Sequence, residues 1–214
     1  KNKRTNKPII LSTGLSSMKE VANAVSYIEK CNSTYISERK LALLQCTSSY
    51  PTPDEDANIG AMLSLKSEFG LPVGYSDHTI GNYSAIAATA AGAKVIEKHF
   101  TLNKKMFGPD HRMSMSPKEL KNVIHDIKMI ETILGSDIKK VLPSEIENRK
   151  KLKKSLVSTR LIQKGKKLSK KYFKVKRPGT GILPELLLSI SNYVAKVDIK
   201  PDTTIQHKMI KKIK

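Results

Sequence analysis

Tryptophan is absent, aromatic residues make up only 5% of the chain, and 214 residues include just two cysteines. So few rings leave little on which nucleic-acid bases can stack. Cys31 and Cys46 have no metal-type spacing, and so sparse a thiol content suits a reducing compartment. No apolar run approaches the roughly 18–20 residues that a transmembrane helix needs. The richest window, SAIAATAAGAKVI, is made of small residues and is broken by Gly92 and Lys94. The opening KNKRTNKPIIL is basic, but its apolar part is too short for a signal peptide. The chain therefore reads as soluble and cytoplasmic, with no membrane partner. Its start at Lys1, without methionine, reads as a processed chain or a fragment.

Acidic residues are also scarce: 19 stand against 39 lysines and arginines, for a formal charge of +20. Phosphate neutralisation would make nucleic-acid binding one reading. The lysines are dispersed, however, and arginine forks are few, which favours a solvated surface and no nucleic-acid partner. Such a field can still draw in a small anionic substrate.

What is present is a strand-then-helix order repeated four times between Lys7 and Gly135. PIILST precedes a helical pattern with Met18, Val21, Val25 and Ile28 on one face and a capping box at Ser17 and Glu20. LALLQCTS precedes a helix within EDANIGAMLSLKSEFG, and PVGYS precedes NYSAIAATAAG. KVIEKHF leads to a helix predicted over Pro117–Leu134, with Ser116 as cap, Glu119 closing the box and Gly135 as terminator. Its stripe is Leu120, Val123, Ile124, Ile127, Ile130 and Leu134, and His125 falls off it. Apolar strands alternating with helices imply an α/β fold with a parallel sheet: half of an eight-stranded barrel, or a small open sheet. All four strands end in polar residues: Ser12 and Thr13; Thr47, Ser48 and Tyr50; Ser76 and His78; Glu97 and His99. That favours the barrel, whose catalytic groups gather at the C-terminal strand ends.

The first domain is expected over residues 1–137 and a charged linker over 138–152, with a helix near Glu145. A β-rich module of short strands follows over 153–214. Within it, RLIQKGKKL from Arg160 is echoed by VDIKPDTTI from Val197, an offset of 37 residues.

His99 follows His78 by 21 residues, one helix plus one strand. In a parallel sheet this puts the two imidazoles at equivalent ends of neighbouring strands, about 4.8 Å apart. There they can share a divalent cation with open positions, or each can simply hydrogen-bond a loop; spacing leaves both open. Ser12, Thr13 and Gly14, with Ser16 and Ser17 opening the next helix, offer hydroxyls and free N–H groups to a phosphate or carboxylate; ordinary capping accounts for Ser16 or Ser17. In GPDHR, Asp110 can hold sugar hydroxyls or act as a base, or it can be a plain Pro-Asp turn. Arg177 sits on the rigid turn KRPGTGI.

KPIILSTG, LLQCTSSYPTP, VGYSDHT, VIEKHFTL, GPDH and KRPGTG occur in this order and span nearly the whole chain. Together they resemble the sialic acid synthases. That resemblance implies the C-terminal half of a (β/α)8 TIM barrel followed by a small β-rich, antifreeze-like SAF domain of β-clip type. It implies condensation of phosphoenolpyruvate with N-acetylmannosamine or a related 2-acetamido hexose, giving a nine-carbon 2-keto acid and phosphate. His78 and His99 match the ligands of a divalent metal, manganese first, with magnesium or cobalt as alternatives. Ser12 and Ser76 match phosphoenolpyruvate positions, and Ser48 stands where some members have asparagine. Tyr50 and Asp110 match residues that hold the amino sugar, and Glu97 points to the same mouth. His78, His99, Glu97 and Asp110 are thus the expected catalytic set. Arg177 matches an arginine that reaches the partner subunit's site, which implies a domain-swapped homodimer. GPDH favours the N-acetylneuraminate or legionaminate branch over the pseudaminate branch.

Members of that family carry about four more βα units before the position of Lys1, with lysines and a glutamate that grip phosphoenolpyruvate. Four units cannot close an eight-stranded barrel. The expectation is therefore a C-terminal portion, inactive alone unless a second chain supplies the rest. The rivals are a non-catalytic carbohydrate- or ice-binding SAF-module protein, and another phosphoenolpyruvate-dependent aldol-type synthase acting on a phosphorylated sugar.

Overall fold

The computed structural model describes residues 7–213. The first six residues of the expected barrel portion, and Lys214 of the expected β-rich module, lie outside the described residues. The chain forms two compact units, Lys1–Ser136 and Asp137–Lys214.

In the first unit β1 (Ile9–Ser12), β2 (Leu41–Cys46), β3 (Val73–Asp77) and β4 (Ile96–Lys98) pair in that order, all parallel. They alternate with α1 (Met18–Cys31), the single turn α2 (Thr34–Ser37), α3 (Gly60–Phe69), α4 (Tyr83–Ala90) and α5 (Pro117–Leu134). Consecutive strands lie side by side with helices in their crossovers, so the sheet curls as a half-barrel. Its outer face is sealed by Val21 and Val25 of α1, Met62 and Leu65 of α3, and Leu41 and Leu43 of β2. The inner face is open along β1, where Ile10 is 56% exposed.

Local signals set the helix ends. Ser17 and Ser116 each close a capping box, with Glu20 and Glu119 respectively, and Pro117 opens α5 where no N–H is needed. The helix expected within EDANIGAMLSLKSEFG occupies Gly60–Phe69, after a 3-10 turn, Asp54–Asp56, and Asn58 at φ 46°. On α5 the stripe is only partly covered: Leu120, Val123 and Ile127 pack with Ala85 and Met115, whereas Ile124 and Leu134 stay about half exposed. The main partner of α5 is α4, so only one flank is sealed.

Between 138 and 152 the chain carries a 3-10 turn, Pro143–Glu145, and α6 (Ile146–Leu152), both on the surface. Beyond them β5 (Ser155–Ser158) pairs antiparallel with β6 (Phe173–Lys176), and β7 (Tyr193–Ala195) with β8 (Ile210–Lys212). The 37-residue echo is structural. Ile162 and Ile199 exchange both backbone hydrogen bonds, at 2.9 and 2.8 Å. Gly165 and Asp202 both take positive φ, 81° and 54°, and Leu168 and Ile205 are both enclosed. The 3-10 turns Lys170–Tyr172 and His207–Met209 then lead into β6 and β8. Two copies of one motif thus share one core.

Two outcomes follow from this packing. A Cβ at Gly74 would run into the Val95 carbonyl and come within 2.5 Å of Leu44 Cδ2, and a backbone oxygen cannot swing aside. Gly74→Ala should cost about 1–3 kcal/mol in urea unfolding. Glu119 is held down to about 2, first by Lys104, then by the N–H and hydroxyl of Ser116. Its contribution to stability is full above the ordinary glutamate value of 4.5 and is lost as pH falls towards about 2. The pair is well exposed, so the effect should be about 1 kcal/mol or less and salt-sensitive. Ser116→Ala should remove about 1 kcal/mol and flatten that acid limb of the stability curve.

Candidate functional site

The register of β3 on β4 sets Ser76 opposite Glu97 and Asp77 opposite Lys98. Alternation then divides these pairs between the two faces of the sheet. On the inner face the Ser76 hydroxyl donates to Glu97 Oε1 at 2.6 Å. One step beyond each strand, His78 and His99 leave the same face, their ring centroids 5.0 Å apart and nearly perpendicular at 85°. Tyr50, from the loop after β2, stacks on His99 at 4.0 Å and meets His78 edge-on at 5.6 Å. Three rings from three loops therefore converge on one mouth.

Hydrogen bonds orient both imidazoles. His78 Nδ1 lies 2.9 Å from the Thr47 carbonyl, so Nδ1 carries the proton and the Nε2 lone pair is left free. The His78 carbonyl in turn accepts from the Thr52 N–H at 2.9 Å, which pins the loop carrying Tyr50. His99 Nδ1 stands 3.6 Å from Asp110 Oδ2, within ion-pair range but beyond a hydrogen bond. Ser114 gives its hydroxyl proton to the Asp110 carbonyl at 2.8 Å, so the Tyr50 hydroxyl donates to Ser114 at 3.2 Å. Both histidines have their Nδ1 turned to oxygen partners, the arrangement that prepares Nε2 to bind a cation. Among the described residues no group of three or more His, Cys, Asp and Glu is gathered as a cage. The donor set thus fits a metal held by two imidazoles, with the other positions left to water or substrate.

The remaining expected residues are spread more widely. Ser12 ends β1 on the open inner face, in register with Leu44, one row below Ser76. Ser48 is exposed above Gly14, where a Cβ would strike its hydroxyl. Arg177 belongs to the second unit, exposed after β6 and joined to Pro178 by a cis peptide. At the start of α1, ordinary capping accounts for Ser17. Glu20 Oε2 accepts from the Ser17 N–H at 2.8 Å and from its hydroxyl at 2.7 Å. Those bonds, the hydroxyl's first, lower the Glu20 carboxyl from its ordinary value. Thr13 and Thr47 also turn away from the mouth, bonding the carbonyls of Leu44 and Asp56, each at 2.8 Å. They help line a cavity of about 570 Å³ between α1 and α3, with Gln45, Val21 and Leu65 and no charged side chain.

The main feature that motif reading missed lies on the outer face. Asp77 is fully enclosed and bonds Lys98 Nζ through Oδ2 at 2.7 Å. Asp77 Oδ1 accepts from the Thr79 N–H and hydroxyl at 2.9 and 2.8 Å. Lys98 also donates to the Thr79 carbonyl at 2.7 Å. Burial pushes the neighbouring Tyr75 phenol up to about 12, with the Asp77 carboxylate adding to it. Asp77 and Lys98 share the 21-residue step of the two histidines, and that was the available signal.

The NeuB family profile matches residues 1–139, and that of the SAF domain matches residues 153–211. An N,N'-diacetyllegionaminic acid synthase of Legionella pneumophila is 41% identical over 198 residues, which is 92% of this chain and 55% of that protein. A pseudaminic acid synthase of Helicobacter pylori is 38% identical over 202 residues, 94% of this chain and 58% of that one. The crystal structure of a spore coat polysaccharide biosynthesis protein E from Chromobacterium violaceum superposes with a TM-score of 0.82. That match covers 98% of this chain and 62% of the other at 22% identity, and it speaks for the fold alone. The chain thus spans under two thirds of the length of these relatives. With both profiles matched in order and the half-barrel sheet in place, the chain belongs to the NeuB family and carries a SAF domain after its α/β unit.

Proposed function

We propose that this chain supplies the metal- and sugar-binding side of a sugar-acid synthase. The reaction joins phosphoenolpyruvate to an N-acetylated amino sugar and gives a nine-carbon 2-keto acid plus phosphate. The observation that carries the reading is the convergence of Tyr50, His78 and His99 above the Ser76–Glu97 pair. The named activities of the relatives support it.

A divalent cation, manganese first and magnesium or cobalt next, would be held by His78 and His99 and would polarise the sugar aldehyde. C3 of phosphoenolpyruvate attacks the aldehyde carbon, water adds at C2, and phosphate leaves by C–O cleavage. Tyr50 covers the face of His99, limiting its motion and walling the sugar site. Asp110, exposed beside His99, takes sugar hydroxyls. Glu97, steadied by Ser76, is the carboxylate that faces the mouth and can accept a proton. Ser12, Ser48 and Ser76 serve the phosphoenolpyruvate side, and Arg177 serves the N-acyl group across a domain-swapped homodimer in the cytoplasm. The GPDH loop inclines the sugar towards the N-acetylneuraminate or legionaminate branch.

The isolated chain should form no keto acid from phosphoenolpyruvate, N-acetylmannosamine and Mn2+; robust product from it would refute the half-site assignment. Fused behind the N-terminal part of the Legionella relative that it does not match, it should release phosphate and form keto acid from a 2-acetamido hexose. In that chimera His78→Asn should lower turnover about a hundredfold or more. A folded chimera that makes no keto acid from any acetamido hexose would sink the reading.

A further inference from the structure

Both residues shown hydrogen-bonding the Lys98 ammonium flank His78. Lys98 precedes His99, and its Nζ bonds Asp77, immediately before His78, and the carbonyl of Thr79, immediately after it. One ammonium thus holds the side chain of the residue before His78 and the backbone carbonyl of the residue after it, and ties both to the residue beside His99. The grip is dry: the side chains are 0% exposed at Asp77 and 8% at Lys98. It is also braced from outside, because the Thr79 hydroxyl bonds both Asp77 Oδ1, at 2.8 Å, and Ser84 Oγ on α4, at 3.0 Å.

Hydrophobic residues of similar volume could seal this face as well, since desolvation offsets most of the attraction in a buried ion pair. What such residues could not do is fix direction. Each of these bonds has a defined length and angle, and together they leave the ends of β3 and β4 one relative position. The rings on the opposite face inherit it.

We propose that Asp77 and Lys98 form a positioning pair that sets the placement of His78 against His99 from the far side of the sheet. Neither residue faces the mouth, so neither is catalytic. The inference rests on the proposed use of the histidines only for its consequence in metal binding; the placement itself is a property of the metal-free chain.

The decisive variant is the double replacement Asp77→Asn with Lys98→Met. Removing one charge alone strands the other in the interior, at about 3–5 kcal/mol, and risks unfolding; removing both leaves no buried charge. With selectively labelled histidine and tyrosine, ring-to-ring NOEs among Tyr50, His78 and His99 report the geometry without metal. Mn2+ affinity, read from the EPR signal of the free ion, reports its consequence. The double variant should keep its cooperative unfolding transition, lose the His78–His99 NOEs, and bind Mn2+ about tenfold or more weakly. Lys98→Arg, which retains the charge and several donors, should recover part of both signals. A folded double variant with unchanged NOEs overturns the proposal, because the pair is then only a filler of the outer layer. Lost NOEs in a chain whose parent binds no Mn2+ uphold the positioning pair and count against the metal reading alone.

Discussion

The pairing of β3 with β4 is the constraint on which the site depends. Parallel strands alternate faces residue by residue, so one register assigns four side chains at once: Ser76 and Glu97 to the inside, Asp77 and Lys98 to the outside. A slip of β3 by one residue would turn the Asp77 carboxylate into the mouth and carry Ser76 and His78 out of it. The ion pair opposes that slip strongly, because breaking it would leave an uncompensated charge among Tyr75, Ser84 and the helices. The hydrophobic layers fix which face is inside, and the polar pairs fix the position along the strand.

A second consequence concerns what the mouth has left to offer. Thr47 and Asp110 occupy or face the Nδ1 atoms of the two histidines, and Ser114 takes the Tyr50 hydroxyl. Among the described residues the mouth therefore offers a few directed acceptors: the two imidazole Nε2 atoms, the exposed Asp110 carboxylate and the Glu97 carboxylate, which already accepts one bond from Ser76. Such a mouth does not enclose an ion. A cation held there, as proposed, would keep most of its coordination positions open, and the same openness would admit a sugar oxygen.

The parts legible in the sequence were those governed by neighbouring residues. The bounds of α5 followed from Ser116, Pro117, Glu119 and Gly135, because caps act within one turn. The meeting of His78 and His99 followed from a crossover of fixed length. The Asp77–Lys98 pair obeyed the same arithmetic, but lysine is so seldom buried that its residue type carried no signal of the kind a histidine does. At α1 the capping alternative accounts for Ser17. The very capping box that marks the helix start places the Glu20 carboxylate where an external anion would sit. Ser114 was invisible, since its contact with Tyr50 spans 64 residues and depends on loop shape.

The second unit separates fold from function in a different way. Its two copies repeat the bridge at Ile162 and Ile199, the left-handed turn at Gly165 and Asp202, and the 3-10 turns that follow. Asp202 meets the positive-φ requirement with a short polar side chain where the first copy uses glycine, so the turn outlasts the residue that makes it easiest. Every repeated position is thereby committed to the core or to a turn. Arg177 lies just past β6, at the start of the connector that leads to β7. A surface connector can change without disturbing the core, and it is there that Arg177, proposed above to serve the substrate, stands.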